Sequence, residues 1–202
     1  MKYLWIAIYV AALLWSAIEP KDYFTWWLEV LPALIALLLL AITYRAFPLT
    51  PLAYALILIH CLILMVGGHY TYAEVPFFDW LQEVLGQRRN NFDKLGHFAQ
   101  GLVPAIVARE VLIRKAVVNG RGWLNFFVLC FALALSAFYE LLEWWVAVIS
   151  GASAEAFLAL QGYSWDTQSD MAYALAGASL ALGLLARLHD RQIRQLAPAA
   201  AA

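Results

Sequence analysis

Six long apolar runs divide this chain: Tyr3–Ile18, Trp26–Tyr44, Leu52–Val66, Phe92–Ile113, Trp123–Ile149 and Asp170–Leu188. A helix needs roughly 20 apolar residues to cross the hydrocarbon of a bilayer, with a usable range of about 17–25. The runs therefore predict an all-α fold, a polytopic membrane bundle of about six transmembrane helices. The first and third runs are short and are expected to gain a turn from flanking residues. The fifth is long and should tilt or project from the bilayer. Pro32 and Pro104 fall inside runs, where membrane helices tolerate proline. Composition agrees: 64% of residues are hydrophobic and 13% charged, whereas a soluble domain is nearer half apolar and a quarter charged. Residues 1–196 read as one integral membrane domain, and the small-residue tail 197–202 as disordered. The opening run resembles a signal peptide but ends in Trp15, Glu19 and Pro20 rather than a small-residue cleavage site, so it is read as a retained first helix.

Lys and Arg in the connections set the expected orientation. With the N-terminus inside, nine of these bases fall on the inner side, among them Arg109, Arg114, Lys115 and Arg121; Lys21, Arg88, Arg89 and Lys94 fall outside. Both termini are thus expected in the cytoplasm. Of the acids, Glu110 and Asp190 fall inside and the other twelve outside. An outer half with that excess of carboxylates attracts cations. The connection Gly67–Asn91 contains an amphipathic segment from Pro76 to Gly86. It carries Phe77, Trp80, Leu81, Val84 and Leu85 on one face, which predicts a short interfacial helix. The connection Gly151–Gln168 contains Ala154–Leu160, a candidate helical turn.

Three pairs of ionisable residues lie at the outer ends of the last three runs. Asp93 and His97 are four apart and share a helix face, a spacing that suits a metal ion or a general acid–base unit; Asp93 could instead cap its helix. Glu140 and Glu143 are three apart and also share a face. Glu140 lies about 13 Å from Ile149 along the helix, toward a C-terminal end where the macrodipole disfavours negative charge. Two such carboxylates stay ionised only with a cation between them; otherwise one is protonated. Asp166 reads as the N-cap of the last helix and Asp170 as a first-turn acid, with a site role for each as the alternative. His69, after two glycines, is a further candidate ligand at the outer face. His60 reads as a packing residue, and His189 as solvated. Ionisable groups within a membrane mark functional sites by default, although hydrogen-bonded structural pairs are the competing reading.

Carboxylates and imidazoles without thiolates suit zinc, manganese, iron or magnesium. Cys61 and Cys130 lack metal or redox spacing. No P-loop, dinucleotide fingerprint or nucleophile elbow is present. The basic stretch Arg109–Arg121 reads as a topology and anionic-lipid anchor, not a nucleic-acid surface.

The strings GGHYTYAEVP (67–76), NNFDKLGHFAQG (90–101), SAFYELLEWW (136–145) and WDTQSDM (165–171) resemble the YjdF-like family of bacterial inner-membrane proteins. The resemblance implies a small multi-pass protein of the bacterial inner membrane and brings no activity with it. A fainter similarity is to VanZ-like membrane proteins, which also combine an Asp-Lys…His segment with later Glu and Asp segments, here Asp93-Lys94…His97, Glu140 and Asp166…Asp170. The arginine that usually precedes the last aspartates of that family is missing here.

Three functions fit these residues. In the first, a divalent metal held by some of Asp93, His97, Glu140, Glu143, Asp166, Asp170 and His69 serves an enzyme acting on a lipid or lipid-linked substrate, with Glu140, His97 and Asp93 as its catalytic groups. In the second, the same acids carry an ion or proton through a transporter, against which no polar groups are expected to continue to the inner face. The third is a structural or accessory membrane subunit. The sequence does not set the oligomeric state.

Overall fold

A computed structural model describes residues 2–150 and 161–196. The helices are α1 (Lys2–Ser16), α2 (Tyr23–Thr43), α3 (Pro51–Tyr70), α4 (Pro76–Leu85), α5 (Phe92–Arg114), α6 (Arg121–Ser150), α7 (Asp166–Leu180) and α8 (Ala186–Leu196). A π-helical turn, Ala181–Leu185, joins α7 to α8 without a break. The described residues contain no strand, so the all-α expectation holds. The Ala154–Leu160 turn and the tail 197–202 lie outside the described residues.

Four helices are long and apolar enough to cross a membrane: α2, α3, α6 and the continuous Asp166–Leu196 helix. The apolar α1 has 15 residues, short of a span. The 23-residue α5 is long enough but carries Asp93, Lys94, His97, Arg109 and Glu110, all buried. The 30 residues of α6 extend about 45 Å, well beyond a hydrocarbon core of about 30 Å.

The boundaries follow local chemistry. The Asp22 carboxylate accepts from the Thr25 amide at 2.6 Å and caps α2, and that hydrogen bond holds its carboxyl below the usual range. Thr50 caps α3, with Pro51 at the first helical position. The glycine pair Gly67–Gly68 does not turn the chain; α3 runs through it to Tyr70. In α4, Pro76 starts the helix and Gly86 ends it at φ 61°, as the sequence predicts.

The central helix is α5. It packs on α3, α6 and, most extensively, α7, while α1 and α2 pack on α3. The α5–α7 seam is made of small residues. A side chain at Gly101 would run into the Ala174 carbonyl, and one at Gly177 into the Phe98 carbonyl. Backbones that close let α7 carry its first turn directly against that of α5.

The helix ends expected on the inner side are tied by a second polar cluster. Glu110 accepts from the Thr50 amide at 3.0 Å and its hydroxyl at 2.8 Å, from Arg114 at 2.7 Å and from His189 Nε2 at 3.1 Å. Arg109 donates to His189 Nδ1 at 3.1 Å and to Asp190 at 2.5 Å. Arginine can only donate, so Nδ1 accepts and Nε2 carries the hydrogen. His189 is 0% exposed, which corrects the solvated reading. The helical periodicity after Leu188 continues and folds this residue back onto α5.

Candidate functional site

Local structure aims the outer acids at one another. Asp93, Lys94 and His97 occupy the first two turns of α5, Asp166 and Asp170 the first two turns of α7, and Glu140 and Glu143 the outer half of α6. Because α5 packs against both α6 and α7, all three pairs converge, as their placement along the runs predicts.

The cluster has two parts. The first is an ionic lock. Lys94 Nζ lies 2.5 Å from Asp166, 2.6 Å from Asp170 and 3.2 Å from Asp93. Arg89 pairs with Asp166 and, at 3.2 Å, with Asp93. All five side chains are buried. Charges so placed persist only when paired and hydrogen-bonded. Asp166 is therefore not a helix cap. Trp165 holds the N-cap position without a side-chain bond, and Asp166 sits in the first turn, bound to cations. Nor is Asp93 a cap: Asn91 occupies that position.

The second part is centred on His97. Its Nε2 lies 3.2 Å from Asp93 and 3.9 Å from Asp170. Its Nδ1 faces Gln100 Oε1 at 3.1 Å and Glu140 Oε1 at 3.7 Å. Glu140 is 8% exposed, and its Oε1 makes no hydrogen bond among the described residues. Ligand atoms of His97, Glu140 and Glu143 lie within 4.8 Å of one another, as do those of Asp93, His97 and Asp170. With acceptors at both ring nitrogens, Asp93 at Nε2 and the Gln100 amide oxygen at Nδ1, the imidazole as placed donates from both. A cation bound at Nδ1 would replace that Nδ1 proton and meet Glu140 Oε1 on the same side.

Glu29 of α2 is an acid the three-pair reading passes over. It is 4% exposed, and its Oε2 accepts from Tyr139 Oη at 3.3 Å. Tyr72, in the loop after α3, is fully packed beneath the cluster. Burial first, then the Glu29, Asp93 and Glu143 carboxylates, raise its phenol well above the ordinary range.

His69 joins neither ligand group. Its Nδ1 meets the Ser16 carbonyl at 3.2 Å and its ring packs on Trp15 at 4.5 Å, between α1 and α3. The expectation of an inner half without buried polar groups also needs correction, since Arg109, Glu110 and His189 are buried there.

The cluster opens onto a cavity of about 620 Å³ walled by α2, α3, α5 and α6. Glu29, Asp93, His97, Gln100, Tyr139 and Glu143 form its outer end, and the rest of its wall is largely apolar.

The family model described as "Predicted membrane protein (DUF2238)" matches residues 1–191. The inner membrane protein YjdF of Escherichia coli (strain K12) is 55% identical over 183 residues, covering 91% of this chain and 88% of that protein. No solved structure matches.

Proposed function

We propose that this chain, which belongs to the DUF2238 family of membrane proteins, is a divalent-cation-dependent enzyme acting on a lipid or lipid-linked substrate. It sits in the bacterial inner membrane as six spans, with α1 and α5 completing the four long apolar helices, α4 lying in the outer interface, and both termini cytoplasmic. The similarity to YjdF and the distribution of Lys and Arg support that placement. The exposed Phe77, Trp80, Val84 and Leu85 of α4 support its interfacial position.

One observation carries the functional reading. Glu140 Oε1 is buried and makes no hydrogen bond among the described residues; it lies 3.7 Å from His97 Nδ1, beside Glu143. His97, Glu140 and Glu143 hold the cation, and Asp93, bonded to the other imidazole nitrogen, orients His97. Three protein ligands would leave coordination positions open for water and for a substrate oxygen, and a cation held there would supply Lewis acidity to one or the other. The ionic lock of Lys94 with Asp166 and Asp170 fixes α7 against α5 and keeps those two acids neutralised, so they serve as scaffold. Glu29 and Tyr139 close the outer wall.

The test is metal content of purified protein after loading with Mn²⁺. About one equivalent is expected in the wild type, and far less in Glu140→Ala and His97→Ala. Equal, negligible metal in all three ends the cation reading.

An ion-coupled carrier is the second reading, favoured by the buried Arg109, Glu110 and His189 at the inner end of the same helix. The α5 segment 101–108 between the two clusters has no ionisable side chain, which weighs against a continuous path. Ion flux in proteoliposomes separates the two.

A further inference from the structure

The cavity beneath the cluster is long as well as large. Its wall on α2 runs from Glu29 to Thr43, about 21 Å along the helix axis. One leaflet of hydrocarbon is only about 15 Å deep. The opposite wall is α5, down to Val111, with Lys115 at the inner mouth. The floor is α3. On the wall itself, Ile35 and Leu39 are 48% and 52% exposed, so the groove is open along its side to the surrounding lipid.

Its chemistry is graded. Charged and hydrogen-bonding groups crowd the outer end, the middle is apolar apart from His60 and Cys61, and Thr43 and Lys115 stand at the inner end. Its length and its apolar middle suit a hydrocarbon chain lying along it.

We infer that the groove holds a hydrocarbon chain of a phosphorylated lipid, its head at the His97–Glu140–Glu143 end and its chain running past the bilayer midplane toward Thr43. This rests on the reading of the site as one that acts on lipid. The outer end carries more acids than bases, so a phosphate head is held there through the cation and repelled without it. Entry is sideways from the outer leaflet, over Ile35 and Leu39.

The experiment uses full-length protein in nanodiscs and two hexadecyl phosphate probes, one with a photoreactive diazirine at the chain terminus and one with it beside the head. The terminal probe is expected to label the inner groove around Leu40, Thr43 and Phe47, and the head probe the outer end around Tyr72 and Tyr139. Ala36→Trp, which fills the groove, should reduce both labels at least ten-fold. Leu38→Trp, on the lipid-facing side of the same helix, should leave them unchanged and controls for folding. The reversed pattern, with the head label near Lys115, overturns the inference, as does labelling indifferent to Ala36→Trp. Groove labelling in protein that binds no Mn²⁺ sinks the cation reading and spares the chain. Bound Mn²⁺ without groove labelling does the opposite.

Discussion

His97 faces two unlike neighbourhoods. On its Nε2 side, Asp93 and Asp170 belong to a lock of three carboxylates and two bases, Lys94 and Arg89; on its Nδ1 side, Glu140 and Glu143 pair with no lysine or arginine among the described residues. Replacing Asp93 by Asn should leave the ligands in place but free the imidazole to turn. Mn²⁺ affinity is expected to fall about 10–100-fold, read by titration, and Tm to fall less than on removal of Lys94, since Asp93 is one of three carboxylates in the lock. Lys94→Met acts differently. It strips the cation shared by three buried carboxylates and should cost about 3–5 kcal/mol of stability, read as a large drop in Tm. The spacing of Asp93 with His97, and of Glu140 with Glu143, is legible in the sequence because helix periodicity alone places each pair on one face. The roles of Lys94 and Arg89 are not, because their partner Asp166 lies more than seventy residues away. As bases near an outer loop they read only as topology signals. Glu29 was visible as a lone acid in an apolar run, which is itself the mark of a functional intramembrane residue. His69 shows the converse: the right residue at the right depth, on a helix face that meets α1.

The α5–α7 seam decides whether the two parts of the site meet. Gly177→Leu should force the helices apart, costing about 1–3 kcal/mol by overpacking and weakening Mn²⁺ binding along with Tm. A comparable change at the open Gly183 should do neither, and purified variants compared by melting and Mn²⁺ titration check both. Helix existence and extent were largely legible, since each run is apolar for most of its length. The ends that moved did so for local reasons. Helix α3 absorbs its glycines, and the last helix takes in Asp166, the residue expected to cap it, as its first residue. Which helices touch was not legible from periodicity, because lipid-facing and buried faces of a membrane helix are both apolar.

For the molecule as a whole, both clusters lie on α5, one near each end, with an apolar stretch between them. The inner cluster of Glu110, His189, Arg109 and Asp190 ties α3, α5 and α8 together; the outer one ties α7 to α5 and, with α2 and α6, heads the groove. This polarity predicts the topology. With Cys61→Ala and Cys130→Ala as background, Glu83→Cys should react with an impermeant maleimide in intact cells, and Arg194→Cys only after permeabilisation. The reverse pattern would place the acidic site in the cytoplasm. The proposed activity requires a cation bound to His97 beside Glu140. Its most direct measurement is pulsed EPR of the Mn²⁺-loaded protein. A single coupled ¹⁴N from imidazole is predicted in the wild type, absent in His97→Gln and retained in His69→Gln. A nitrogen coupling that survives His97→Gln, or none in the wild type, contradicts it.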